Sequence, residues 1–448
     1  MTTGTVVESP LSYTQEFLCA FGDGEESGPF GPRYHGVRGW RLRGPVDVAT
    51  LRAAVDEVVA RHEALRSRIV RDGGEPRQEI LPAEAAELVV TDLPDIPVDR
   101  RDRRAEELLN ELEGTELSIR QIPHLRVVLA RFDGTDAVLA MVAHHVAIDG
   151  WSMQLLMVEL AACYGGAPDR TAAAQYREYA AWQKATVTEE AVAAPVAYWR
   201  GRLEGARMLG IATDRQRPEG AVRVTSVCRF ALDPDLTRGV VRTARRSRST
   251  SFMVLAAAYA ALLARVTGSD DVVVPTLSAG RGDVRFTGTV GPFFNFVPLR
   301  VDLAGCRSLA DVLAETRRTC IEAQHHEIPF AHVLPQAPEL MTTFADPSVA
   351  VGAFQTFQYE DSGEGRMGEV DYAEIRERTV SHTPGSDIPD GVLWTLEVDP
   401  TGRIHGNVRY DAAQFDPTTI EGLVAGFRAV LRQIVDDADA PLRPAPPS

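Results

Sequence analysis

Helical and strand periods alternate along this chain, and the alternation runs twice, which restricts the possible fold more than any other feature of the sequence. In residues 48–69, VATLRAAVDEVVARHEALRSRI, the apolar Leu51, Val55, Val58, Val59 and Leu65 recur at helical spacing and predict one long amphipathic helix. RRAEELLNELEG (103–114) predicts a second helix, and HLRVVLARFDGTDAVLAMVAHHVAID (124–149) predicts two strands joined at Asp133-Gly134. A helix through WSMQLLMVELAACYGG follows, closed by Gly165 and Gly166. The alanine-rich TVTEEAVAAPVAYWRGRLEGA predicts a helix that crosses between two lobes. From about residue 220 the succession begins again with a strand at VRVTSVCRFAL, a helix at PDLTRGVVRTARRS, and a helix at STSFMVLAAAYAALLARVTG capped by Ser249 or Thr250. The apolar DVVVPTLSA reads as a buried strand, and three further strands precede a last helix at TTIEGLVAGFRAVLRQIVDD. The expected fold is α/β (α+β), with two lobes of similar plan at residues 1–180 and 181–448; a length of 448 residues exceeds what one growing core accommodates. The proline-rich end, APLRPAPPS, reads as a frayed tail.

Charge and cysteine usage narrow the partners. A formal charge of -16 argues against nucleic acid, whose binding draws on clustered Lys and Arg. The five cysteines lie far apart, with no metal-binding spacing, which suits reduced thiols in a cytoplasm. No basic leader with an apolar run opens the sequence, and no 18-residue apolar span occurs, so a cytoplasmic protein outside the membrane is expected.

The chemistry concentrates in AHHVAIDGWSM (143–153). At the end of a strand, His144 and His145 point to opposite faces and cannot both aim at one ion, so a metal site is not expected. Acid–base work fits better: an imidazole with an ordinary pKa near ~6.5 accepts a proton at cellular pH. Asp149 would fix the local turn through an ion pair with an arginine. Gly150 would permit a tight backbone and turn its N–H toward developing negative charge. Trp151 and Ser152 lie beside the site by position in the sequence.

The form HHxxxDG resembles the signature of condensation domains of nonribosomal peptide synthetases, in the chloramphenicol acetyltransferase-like superfamily. Further matches follow in family order. SYTQEF (12–17) is similar to the first motif, SxAQxR; RHEALRS (61–67) to the second; YREYAAW (176–182) to the fourth, with Glu178 for aspartate. VGPFFNFVPLR (290–300) is similar to the fifth motif, and HHEIPFAHV (325–333) to the sixth, its PFE written Pro329-Phe330-Ala331. Phe17 stands where the first motif has arginine, and ADPSVAVGAF (345–354) keeps only Asp346 and Ser348 of the seventh motif.

The resemblance implies a V-shaped pseudo-dimer with a central tunnel and His145 between the lobes. An acyl or peptidyl carrier protein would deliver an (amino)acyl thioester on its phosphopantetheine arm, and a small amine or alcohol would enter from the other side. The enzyme itself would bind no cofactor. The catalytic set is then His145, His144, Asp149 and Gly150. Arg66 is the first candidate to pair with Asp149 and Arg281 the second. Asn295 and the segment from about 278 to 300 would form the tunnel floor, with Trp151 and Ser152 as positioning residues, whereas His325-His326 matches a structural motif. Phe293, Phe294 and Phe296 are either tunnel wall or core. The EGHGRE-like stretch of epimerisation domains does not occur between Gly280 and Val290, and the intact histidines exclude a heterocyclisation domain. An acyl-CoA-dependent transferase and a silent docking module remain as alternatives. With no room for adenylation or carrier domains, the chain is expected to be free-standing, similar to enzymes that finish natural products such as the enediynes. Two basic runs, RRDRR (100–104) and RTARRSRS (242–249), are candidates to dock the carrier.

Overall fold

The computed structural model describes residues 6–443 except 22–23, 169–170, 172, 218–222, 360, 362 and 389. The last residues of the predicted tail, 444–448, lie outside the described residues.

Two mixed sheets, each with its own apolar core, carry the fold. The first has six strands in the order Glu364–Met367, Val370–Glu374, His35–Arg43, Asp136–His144, Leu125–Arg131, Glu87–Asp92. Its central strand, Asp136–His144, is buried at every position, as strands covered on both faces are. The hairpin from Leu125 to His144 turns where Asp133-Gly134 predicts it. The second sheet runs Gly210–Ala212, Val349–Gln358, Val392–Val398, Ile404–Asp411, Thr225–Ala231. A two-stranded ribbon, Asp271–Ser278 with Asn295–Asp302, brackets the floor segment.

Two expectations need revision. The division at residue 180 is not clean, because strands Glu364–Met367 and Val370–Glu374 from the second half extend the first half's sheet, Glu374 pairing with Trp40 and Asp371 with Arg43. They cover what would otherwise be an open edge at His35–Arg43. The helix expected over 48–69 ends at Arg61. His62 turns extended (φ −103°, ψ 104°), buries its ring, and sets Nε2 2.6 Å from Glu159; Ser67–Val70 then pairs with Arg77–Ile80 as a strand. Ladder pairing, available only through the fold, overrides the helical period here.

Thr250 caps the helix Ser251–Thr267, and Gly268 ends it in the left-handed region. The alanine-rich helix Glu189–Arg202 packs through Val192 and Trp199 on Val273, Val351 and Phe330 of the second half. Among the described residues no single helix is long and apolar enough to cross a membrane, and no group of three or more His, Cys, Asp or Glu is placed to hold a metal. All five cysteines are unpaired.

Candidate active site

The histidine strand ends at His144, so His145 stands in the turn that follows. The two rings diverge. His144 is fully buried: Nε2 lies 3.1 Å from the Gly31 carbonyl, and Nδ1 accepts the Val146 N–H at 3.3 Å. Both nitrogens are thus occupied, which makes this ring a structural post. Burial, then the nearby His124 ring, holds its pKa well below the usual imidazole range.

His145 is held from one side only. Its backbone N–H donates to the Tyr34 carbonyl, its ring lies 5.1 Å from the Tyr34 ring, and Nδ1 is 3.2 Å from the Ile148 carbonyl. A carbonyl can only accept, so Nδ1 carries the proton and Nε2 keeps its lone pair. The residue remains partly exposed. Burial on its other sides pushes the ring's pKa down to about 4, helped by the positive charge of Arg409. The imidazole is therefore neutral at cellular pH and ready to receive a proton.

Asp149 caps the next helix, Gly150–Tyr164, accepting from Ser152 N at 2.7 Å and Ser152 Oγ at 2.6 Å. Its ion-pair partner is Arg281, whose Nη2 sits 3.0 Å from both carboxylate oxygens and 3.2 Å from Ser152 Oγ. Arg66 is not the partner. Its guanidinium turns to the Leu81 carbonyl at 2.5 Å and the Ala60 carbonyl at 3.4 Å, tying the end of the preceding helix to the residue that follows the strand Arg77–Ile80. Burial raises the Asp149 carboxyl, with Arg281 and Ser152 opposing that rise.

Arg281 extends the clasp into the floor segment. Nη1 donates to the carbonyls of Phe286 (2.9 Å) and Thr289 (2.8 Å), and the guanidinium stacks 3.9 Å from the Phe293 ring. Ser152, wholly buried, accepts the Gly291 N–H at 3.0 Å, and its one hydroxyl proton is shared between Asp149 and the Gly291 carbonyl 2.9 Å away. The helix that begins at Gly150 is thus fastened to residues 281–291 by one carboxylate, one guanidinium and one hydroxyl.

The sequence motifs converge on that floor. Ser12 Oγ meets Tyr176 OH at 2.7 Å, Tyr176 OH donates to the Pro292 carbonyl at 3.0 Å, and Thr14 Oγ1 donates to the Phe294 carbonyl at 2.7 Å. The first, fourth and fifth motifs therefore form one hydrogen-bonded unit. Asn295 is fully engaged: Nδ2 donates to Glu327 Oε1 and the Ile328 carbonyl, and Oδ1 accepts from Phe330 N. It holds the PFA loop in place. Phe293 is buried core; Phe294 and Phe296 are only half-buried, and Phe17 stacks on Phe296 and meets Phe294 and Phe330 edge to face. The position that loses the first motif's cation thus lies against the residue preceding Ala331, where the sixth motif loses its anion.

Gly150 has an ordinary backbone conformation, so the expected need for a special φ/ψ does not apply. Space is the constraint: a Cβ would stand 3.1 Å from the Phe357 ring. Trp151 is 42% exposed and donates Nε1–H to the Thr287 carbonyl at 2.9 Å. His326 stacks on Tyr198 with ring centroids 3.9 Å apart.

Sequence reasoning overlooked His124 and Tyr34. His124 is buried, its Nε2 2.9 Å from the Ser67 carbonyl and its ring 5.9 Å from His144, and burial pushes its pKa down to about 4. No spacing rule marks a lone histidine or tyrosine far from the signature; only the folded sheet brings them beside it.

Comparison with known proteins identifies the group to which this architecture belongs. The condensation domain family matches residues 33–445, and the chain belongs to it. A crystal structure of the SgcC5 protein from Streptomyces globisporus, in complex with (R)-(-)-1-(2-naphthyl)-1,2-ethanediol and sucrose, superposes with a TM-score of 0.92 at 45% identity, covering 96% of this chain and 100% of that one. The phosphinothricin tripeptide synthetase PhsC of Streptomyces viridochromogenes is 32% identical over 96% of this chain and 39% of its own length. For the isonitrile lipopeptide synthase of Mycobacterium tuberculosis the figures are 32%, 94% and 17%. The chain thus spans well under half of these curated relatives. The X-domain from teicoplanin biosynthesis shares the fold, with a TM-score of 0.79 at 23% identity.

Proposed function

We propose that this chain forms an ester, joining an (amino)acyl group held as a carrier-bound phosphopantetheine thioester to an alcohol in natural-product biosynthesis. One observation carries the acid–base part: Nδ1 of His145 is committed to the Ile148 carbonyl, so Nε2 is an unprotonated base on a partly exposed ring. An amine is nucleophilic once it has lost its ammonium proton, whereas an alcohol needs a base during attack. The SgcC5 structure, 45% identical to this chain, holds an aryl 1,2-diol, which supports an alcohol acceptor.

In this reading the acceptor hydroxyl oxygen attacks the thioester carbonyl carbon as its proton passes to His145 Nε2. The tetrahedral adduct then collapses, the C–S bond breaks, and the proton leaves with the sulfur as free thiol. His144 holds the turn from behind, and the Asp149–Arg281–Ser152 clasp fixes the helix start against the floor. Alignment of two reactants in the tunnel expected between the lobes would supply roughly 7–11 kcal/mol in favourable cases.

Carrier docking falls to the second basic run. In RRDRR, Arg101 pairs with Asp133 and Asp136, Arg103 with Glu107 and Arg104 with Glu111. Arg242, Arg245 and Arg246 are exposed and have no acidic partner among the described residues, so this run keeps its charge for an acidic partner.

The test offers carrier-loaded aminoacyl thioesters together with 1-(2-naphthyl)-1,2-ethanediol or the matching amino alcohol, with products read by mass spectrometry. Ester formation by the wild type, lost in His145→Ala, is expected. Amide as the sole product, or equal turnover by His145→Ala, overturns the reading. Equal use of the coenzyme A thioester would reassign the donor.

A further inference from the structure

The second sheet has one apolar face and one polar face. Phe354, Trp394, Leu396, Val408 and Phe230 point into the core. On the opposite face, the register places Phe357 beside Glu397, Glu397 beside His405, Thr395 beside Asn407 and Asn407 beside Arg229. His405, Asn407 and Arg409 are alternate residues of Ile404–Asp411 and share that face. It looks toward the first half of the chain: Phe357 abuts Gly150, Glu397 is 3.6 Å from Arg38, and both Arg229 and Arg409 reach Glu113. The wall opposite the histidine turn is therefore polar and buried.

Its charges do not balance. Arg229, Arg378 and Arg409 surround one carboxylate, Glu113. Oε1 of Glu113 accepts from Arg229 at 2.8 Å and from Arg378 at 2.6 Å. Oε2 is left 3.2 Å from His382 Nε2 and 3.6 Å from Arg409 Nη2, with a proper hydrogen bond to neither. Of the other carboxylates nearby, Glu397 is occupied by Arg38 and Tyr359, and the buried Glu106 by the backbone N–H groups of Thr379 and Val380. The Arg409 guanidinium makes no hydrogen bond among the described residues, and its side chain is 22% exposed. Beside it on the same face, Asn407 Oδ1 and His405 Nδ1 have no partner among the described residues, and those residues are only 6% and 7% exposed. Burial pushes Arg229 down to about 10; Glu113 opposes that fall, and the like charges of Arg378 and Arg409 add to it. Surplus buried cations and unpartnered polar atoms are costly unless a ligand completes them.

We infer that Arg409, with Asn407 and His405 beside it, forms a subsite for a carboxylate borne by one of the two substrates. This deepens the proposed reaction and rests on it for the placement of the reacting centre at His145, whose pKa the charge of Arg409 lowers. A carboxylate fits because it brings the missing negative charge and can accept from the Arg409 guanidinium and from an N–H of the His405 ring, whereas Asn407 Oδ1, itself an acceptor, calls for a donor elsewhere on the same substrate. Leaving group and nucleophile are unchanged, so the subsite selects the substrate without altering the chemistry.

Binding is read by calorimetry without any thioester, which keeps this test independent of ester formation. The probes are 2-naphthoate and 2-naphthamide, alike in shape and different in charge. The wild type should bind the carboxylate at least about tenfold more tightly than the amide. Arg409→Met should abolish that preference, and Arg409→Lys should keep part of it, with melting curves verifying that each variant is folded. Equal binding of the two probes by the wild type, or an undiminished preference in Arg409→Met, overturns the subsite. Turnover with aspartyl against asparaginyl donors, and with 3-(hydroxymethyl)benzoate against its amide as acceptors, assigns the carboxylate to the substrate whose charged form is preferred.

Discussion

Replacing Arg281 with methionine keeps much of the side chain's apolar stem and removes its guanidinium. Asp149 then loses its only cationic partner among the described residues, at 3.0 Å, within a site where its side chain is 12% exposed and that of Arg281 7%. Stranding one member of a buried pair costs about 3–5 kcal/mol, and the Phe286 and Thr289 carbonyls lose their donor as well. Asp149→Asn in the same background removes the stranded charge while an amide oxygen can still accept from Ser152 N at the helix cap. The double variant should therefore be more stable than the sum of the single losses predicts, with a coupling of about 2–3 kcal/mol. Urea denaturation followed by tryptophan fluorescence measures all four corners of the cycle. Arg66→Ala is the control: it loses two bonds to backbone carbonyls, costs about 1–2 kcal/mol, and leaves the turnover of the folded enzyme unchanged. Additivity within about 0.5 kcal/mol between positions 149 and 281 would refute the clasp, as would a rate lost with Arg66 and not with Arg281.

Three further outcomes are expected. His124 and His145 are neutral when folded, with pKa values near 4, and titrate near ~6.5 when unfolded, so stability is complete above that pH and falls as pH drops toward 4. His124 alone accounts for about 3 kcal/mol of that loss, and kcat/KM should hold from pH 8 to about 5.5; an inflection near ~6.5 would show that the His145 ring is not desolvated. Gly291→Ala places a Cβ 2.0 Å from the Tyr176 ring, so it should cost more than about 2 kcal/mol and lower turnover, which a denaturation curve with wild-type stability would contradict. Arg245→Glu with Arg246→Glu should raise KM for a carrier-bound donor several-fold at low salt and leave kcat intact, whereas the same reversal at Arg103 and Arg104 should change KM little.

Local chemistry was legible in the sequence because its causes lie within a few residues. Thr250 opens a helix and Asp133-Gly134 turns a hairpin where the residues predict them, whereas the capping of the next helix by Asp149 was overlooked beside its ion pair. The strand period separated the two histidine side chains, and the spacing of six motifs pointed to the family. Which arginine meets Asp149 was a different matter: Arg66 and Arg281 look alike along the chain, and only the path of the floor segment carries a guanidinium across 132 residues to the carboxylate. The same is true of Glu113, an ordinary charge at a helix end until arginines more than 100 residues away close on it. Strands 364–374 join the first half's sheet because an open edge there needs pairing, and nothing in their own residues says which edge. Caps and periods depend on neighbours in sequence, whereas ion pairs, edges and the polar face at His405, Asn407 and Arg409 depend on neighbours in space, and the tertiary structure alone assigns those.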